Sequence, residues 1–453
     1  MRIQAADGVA APAVPLGRES VSERRPRFFS FRLFSTAVVN QALLSLASLS
    51  VGLLLIRHTT DLQYGYYVLV SNALMLLTGL QAAYIGPAMV NRLTVSDRTQ
   101  RGELVGGLVR EQRQVLRTLA AIVAAVAAVL WAGGVLDQVS GPLVVAAALT
   151  ATATLNREFF RSVLLAYRRP QDVLRADLVY VVLMAIGVVV AILTPFPAAV
   201  AVLTLGAAAL AGGNLLRRAL GRHEPWDIRG MPGILRAIAP IGAWSTAGAG
   251  IHWAFNQGYS YLIAGTLGVS AVAAIAATRL LMMPVNLLST GMGSLMLPMA
   301  ARWLHNHGPA SVLKRLALFT LGLSCAALLY FGIMWLLRDW IFDSILHKHF
   351  EDRDTLLGLW ICVFLMIMFR DQMIWLLIAR ERFRPLAGLT AASAGVALSV
   401  SYLAMVRVGV SGALIGILVG ESVQVGGIVI MSLREAGRPT PPQPDTPAAP
   451  PSA

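Results

Sequence analysis

Seven charged side chains sit where charge is expensive. Arg157, Glu158 and Arg161 fall within LNREFFRSVLLA, Arg279 within ATRLLMM, Arg370 and Asp371 within MFRDQMIW, and Glu421 within VGESV, in apolar surroundings. A guanidinium stays charged at any physiological pH and presents a planar fork of donors, so inward-facing arginines in a membrane suit the binding of anions. Carboxylates at the same depth can neutralise those arginines.

The elements that must hold these residues are transmembrane helices. The 453 residues are 57% hydrophobic and 13% charged, and the mean hydropathy is +0.67, beyond what a soluble chain of this length shows. A bilayer core of roughly 30 Å takes about 20 apolar residues per helix. About twelve such stretches follow: 32–56, 65–90, 115–134, 141–167, 173–193 and 197–216, then 237–263, 269–301, 313–337, 355–379, 385–406 and 409–432. The expected fold is an all-α polytopic membrane protein. Its divisions are a cytoplasmic tail at 1–30, a first six-helix lobe at 31–220, a second at 221–433, and a Pro-rich tail at 434–453. Cys325 and Cys362 read as small core residues, without disulfide or zinc chemistry.

Lysines and arginines crowd the segments that share a side with the N-terminus. Only Arg57, Arg338, Lys348, Arg353 and Arg407 fall on the other side. Both termini are therefore expected in the cytoplasm. The net charge of +14 is largely this bias and does not point to nucleic acid. No cofactor motif is present: HKHFEDRD, from His347, lacks the spacing of a closed metal site, and no phosphate-binding loop or Ser/His/Asp arrangement occurs.

The charged motif repeats. REFFRSVLLAYRRP from Arg157 and RDQMIWLLIARERFRP from Arg370 align at a constant offset, pairing Arg157 with Arg370 and Glu158 with Asp371 on the fourth helix of each half. IGPAMVNR around Pro87 and MLPMAAR around Pro298 align at a similar offset. Two homologous halves with an even helix count enter from the same side and are related by an axis along the membrane normal. At about 1.5 Å per residue, Arg370 lies roughly 15 Å from the cytoplasmic boundary. There a lipid-facing charge costs about 2.5–3.5 kcal/mol, so the arginines must face protein or a wet cavity. Adjacent residues diverge by about 100° on a helix, so Arg370 and Asp371 are not expected to pair well with each other. Two readings stay open. Arg157, Arg161, Arg279 and Arg370, against Glu158, Asp371 and Glu421, either line an anion cavity or glue helices through cross-helix pairs. Under the cavity reading, Arg370→Ala abolishes transport and leaves the protein level intact. Gln41, Ser45 and Ser48 share one helix face, and His252, Asn256 and Tyr259 another; such stripes are either hydrogen-bond glue or a pathway, and His252 is a candidate pH reporter. Pro284, with Gly291 and Gly293, marks an expected bend.

The stretches TDLQYGYYVLVSNALMLLTGLQAAYIGPAMVNR from Thr60 and REFFRSVLLAYRRPQDVLRADLVYVVL from Arg157 resemble bacterial flippases of the multidrug/oligosaccharidyl-lipid/polysaccharide exporter superfamily, most of all the Wzx-type polysaccharide branch. Tyr64, Gly65 and Gly86 reproduce that family's step after the first helix and the end of its second. The resemblance implies a V-shaped pair of lobes in the bacterial inner membrane, opening alternately to either face. It implies a cationic cavity for an undecaprenyl-diphosphate-linked oligosaccharide, an ion or proton gradient or the membrane potential as driving force with Glu158, Asp371 and Glu421 as candidate coupling acids, membrane lipids and other polysaccharide-assembly proteins as partners, and no enzymatic activity. A MATE-like drug exporter would share the fold but favours an acidic cavity. A membrane-embedded polymerase or ligase would present a larger external loop than residues 338–354 offer.

Overall fold

Long apolar runs leave the backbone no partner but itself in a hydrocarbon medium, so the chain folds into helices. The computed structural model describes residues 27–437 apart from 96, 135–138, 168, 224–225, 227–229, 231 and 351. Most of the two expected tails therefore lies outside the described residues. In order, the helices are α1 (Arg27–His58), α2 (Asp61–Val95), α3 (Arg98–Ala132), α4 (Ser140–Ala166), α5 (Pro170–Ile192), α6 (Pro197–His223), α7 (Ile234–Thr266), α8 (Val269–Leu280), α9 (Met283–Leu336), the short α10 (Arg338–Trp340) with a π-turn at Ile341–Leu346, α11 (Arg353–Ala379), α12 (Phe383–Val408) and α13 (Val410–Ala436).

Among the described residues, nine helices are long and apolar enough to cross a membrane. The shortfall from the expected twelve has local causes. Arg157, Glu158 and Arg161 interrupt α4, and Ser, Thr, His, Asn and Gln dilute α7. The expected span 269–301 is divided at Leu281–Met282. Pro284 occupies the first turn of α9, where its missing N–H costs nothing, so the break falls before the proline. Conversely, the expected loop at 302–312 is helical except at Gly308, with φ 75° and ψ 172°. The positive φ suits only glycine, and the extended ψ is what Pro309 imposes on its predecessor.

Within the first half of the chain, α4 and α5 pack on α6 and α3 leans on α4; within the second, α12 packs on α13 and α11 on α9 and α13. α2 joins the halves through α7 and α8. Trp253 Nε1 donates to the Asn72 carbonyl at 2.9 Å and Tyr261 Oη to the Leu69 carbonyl at 2.7 Å. The Gly65 of the YG step is needed there, because a Cβ would stand 2.2 Å from the Val269 carbonyl at the start of α8. On the side of residues 57–61, Lys348 Nζ donates to the Thr59 carbonyl at 2.8 Å and Asp61 Oδ1 at 2.7 Å, above the fully buried Phe342 and Leu346. Cys325 and Cys362 are exposed, not core residues.

Small residues bring α13 close to α12. A Cβ on Gly416 would lie 2.2 Å from the Ser401 backbone nitrogen, while Gly426 meets nothing within 4 Å. Gly416→Ala is therefore expected to lower stability by about 1–3 kcal/mol through overpacking, and Gly426→Ala to change little; thermal unfolding in detergent measures both.

Candidate functional site

Three charged clusters emerge from the helices. In the first, α4 presents Arg157 and Arg161 one turn apart, and α5 supplies Asp177, which is fully buried. Arg157 Nη2 donates to Asp177 Oδ1 and Arg161 Nε to Oδ2 at 3.1 Å. Asn40 Nδ2 of α1 adds a third bond to Asp177 Oδ2 at 2.6 Å. Arg157 also reaches Glu158 Oε1 at 2.5 Å, and its guanidinium carbon sits 3.8 Å from the Tyr180 ring centroid.

In the second cluster, Arg370 of α11 donates through Nη1 to both oxygens of Glu421 on α13, at 2.7 and 2.9 Å, and through Nε to Asp371 Oδ1 at 3.0 Å. Arg370 and Glu421 are 7% and 1% exposed. The expectation that sequence neighbours pair poorly is corrected at both repeats: the arginine stem is long enough to fold back on its own helix and reach the adjacent carboxylate. The arginines are equivalent in the two halves, but the buried acids are not. Glu421 comes from the last helix of its half and Asp177 from the fifth, and the position aligned with Asp177 is Thr390, which accepts from Gln424 Nε2 at 3.1 Å.

The third cluster differs in kind. Arg279 near the end of α8 donates through Nη1 to Gln257 Oε1 at 2.5 Å and to the Tyr259 hydroxyl at 3.0 Å. Its guanidinium carbon lies 5.5 Å from the Trp360 ring centroid. Among the described residues it has no carboxylate partner, and Nε and Nη2 donate to nothing.

A chamber of about 530 Å³ opens between the two halves. Arg157, Glu158 and Arg279 line it, with Ser48, Tyr180 and Gln257. A second cavity, at Thr78, Gln81, Met89, Glu158 and Ser162, continues from Glu158 along α2 and α4. Of the remaining candidates, Arg161, Arg370, Asp371 and Glu421 lie in ion pairs outside the chamber lining. His252 and Asn256 bond each other along α7, through Asn256 Nδ2 to the His252 carbonyl at 2.8 Å, while Tyr259 turns inward to Arg279. Gln41 is exposed, and its neighbour Asn40 carries the polar role expected of it. Asp177 was missed because it stands in the second turn of its span, where an acid reads as a helix-start charge. Counting it, the set holds four carboxylates to four arginines, so the expected excess of positive charge is absent, and the three arginines that are paired fit the helix-gluing reading.

Fold and chamber define a multi-pass, all-helical membrane protein with an internal cavity into which arginine, glutamate and tyrosine side chains project. No family model matches the chain and no curated protein matches it. Solved structures do. The chain is similar to lipid II flippase MurJ in an inward closed conformation, with TM-score 0.72 and 8% identity over 88% of this chain and 87% of that one. It is also similar to an inward-facing multidrug resistance MATE family transporter of the MOP superfamily, with TM-score 0.64 and 14% identity over 87% and 94%. A Vibrio cholerae MATE transporter superposes with TM-score 0.61 and 14% identity over 89% and 95%. The chain thus has the fold shared by MATE transporters and the MurJ flippase.

Proposed function

We propose that the protein is a flippase of the bacterial inner membrane, with both termini cytoplasmic, that turns over a polyprenyl-diphosphate-linked oligosaccharide by alternating access of two lobes. Arg279 carries this reading. It faces the chamber with Nε and Nη2 unengaged, and its two hydrogen bonds go to neutral acceptors that an anion can displace at little cost. The aromatic faces of Tyr259 and Trp360 hold the guanidinium in place without neutralising it. Arg157 lines the same chamber, and its contact with the partly exposed Glu158 is the one a diphosphate could replace, since Asp177 on its other side is sealed. The polyprenyl chain stays in lipid while the head group crosses, so a chamber smaller than the whole cargo suffices.

The test is reconstitution into vesicles with a fluorescent undecaprenyl-diphosphate oligosaccharide and measurement of leaflet exchange. Arg279→Gln is expected to slow exchange about tenfold or more, because a charge-assisted hydrogen bond contributes about 1.5–3 kcal/mol. Arg279→Lys should retain part of the rate, having charge without the fork. Unchanged exchange in Arg279→Gln sinks the assignment. A second reading, export of cationic drugs, draws on Glu158, whose side chain is 27% exposed and lines the chamber. Efflux of a cationic dye that depends on Glu158 and ignores Arg279 would favour it.

A further inference from the structure

A third cavity, of about 530 Å³, lies away from the chamber, between α3, α4 and α6. α3 packs on α4 and α7 and leaves a trough between itself and α6, with α4 as its floor. One end of the trough carries Arg113, Arg117 and Arg217, together with Asn156 and Asn214. The rest is walled by short apolar side chains, Ala120, Ala121 and Ala124, and by Leu149 and Leu210. Among the described residues none of the three arginines has a carboxylate partner; Arg217 instead rests over the Trp226 ring, 6.0 Å from its centroid. Three like charges around one hollow repel each other unless an anion occupies it.

Depth identifies the anion. Arg113 and Arg117 lie about 15 to 19 residues before the end of α3 at Ala132, and Arg217 about 20 residues after the start of α6 at Pro197. At about 1.5 Å per residue, all three stand roughly 22–30 Å from the opposite ends of their helices, near the edge of a hydrocarbon layer. The alanine-lined part of the trough runs from there toward the midplane. A charged end at headgroup depth leading into an apolar slot is complementary to a phospholipid and not to a soluble anion.

We propose that this trough is a binding site for one anionic phospholipid, such as phosphatidylglycerol, from the leaflet on the arginine-rich side. The phosphate bridges Arg113, Arg117 and Arg217, and an acyl chain lies along Ala120, Ala121 and Ala124. The site does not depend on what the central chamber carries.

The test is native mass spectrometry of the purified protein titrated with dioleoyl phosphatidylglycerol, and separately with dioleoyl phosphatidylcholine. The full chain should retain phosphatidylglycerol about a hundredfold better, since each of the three arginines near a headgroup contributes about 1 kcal/mol. Arg113→Gln/Arg117→Gln/Arg217→Gln should abolish the preference, and Arg218→Gln/Arg222→Gln, which removes charge beside the trough, should preserve it. Ala121→Trp fills the slot without touching the charges and should weaken retention of phosphatidylglycerol; it decides the matter if the triple variant does not fold. Equal retention of the two lipids, equal losses in the control, full retention by Ala121→Trp, or displacement by millimolar inorganic phosphate would each overturn the proposal, the last by showing an anion site without a lipid slot.

Discussion

Asp177→Ala is expected to be the most damaging single substitution in the protein, with a cost of about 3–5 kcal/mol. Arg157, Arg161 and Asn40, from two helices, converge on one carboxylate with no exposure to solvent. Its removal leaves Arg157, 3% exposed, with only Glu158 to balance it, and strips Asn40 Nδ2 of its acceptor. Asp177→Asn keeps one acceptor oxygen and should fall between. Size-exclusion profiles of detergent-solubilised protein after heating measure the loss. A melting temperature equal to that of the parent in Asp177→Ala would show that the cluster does not hold α1, α4 and α5 together.

Arg370→Ala is the second large effect, and the buried pair reverses the expectation that such a change spares folding. Glu421 would be left almost fully buried, with Asp371 as its like-charged neighbour, at a cost of about 3–5 kcal/mol. Arg370→Leu/Glu421→Leu should recover most of that stability, because an ion pair and an apolar pair of similar volume are often nearly equivalent in a low-dielectric interior. The same double variant separates glue from mechanism. If it folds and still exchanges lipid between leaflets at the parent rate, the pair is structural. If it folds and is inactive, the pair takes part in transport. A double variant as unstable as Arg370→Ala would show that the two residues are not energetically coupled.

Helix content and the repeated arginines were legible because each signal is intense and local: an apolar run announces a span, and a guanidinium inside one stands out. Partners were harder to read. Asp177 is as buried as any residue in the protein, yet its place near a helix start gave it the look of an interfacial charge. Of the stripe on α1, Ser48 does line the chamber, but the buried hydrogen bond falls to Asn40 and not to Gln41, because a shift of one position turns a side chain by about 100° and only packing against α5 selects Asn40. The pairing of Arg157 with Glu158 and of Arg370 with Asp371 escaped a rule that treats side chains as fixed spokes, which a long flexible stem does not obey. The separation of Arg279 from the other arginines had no local signal, since whether an arginine meets a carboxylate or a glutamine depends on which helix lies across from it.

The segment that follows α9 straps one half of the chain to the other at a single end of the chamber. For that end to open, Phe342 and Leu346 must leave apolar packing worth about 1.5–3 kcal/mol each, and Lys348 must release Thr59 and Asp61. Breaking these contacts together costs several kcal/mol. Opening at this end has to supply that much, and the end beyond Glu158 carries a clasp of another kind, where the Glu111 carboxylate accepts from the Gly233, Ile234 and Leu235 N–H groups and Tyr84 Oη donates to the Leu235 carbonyl at 2.9 Å.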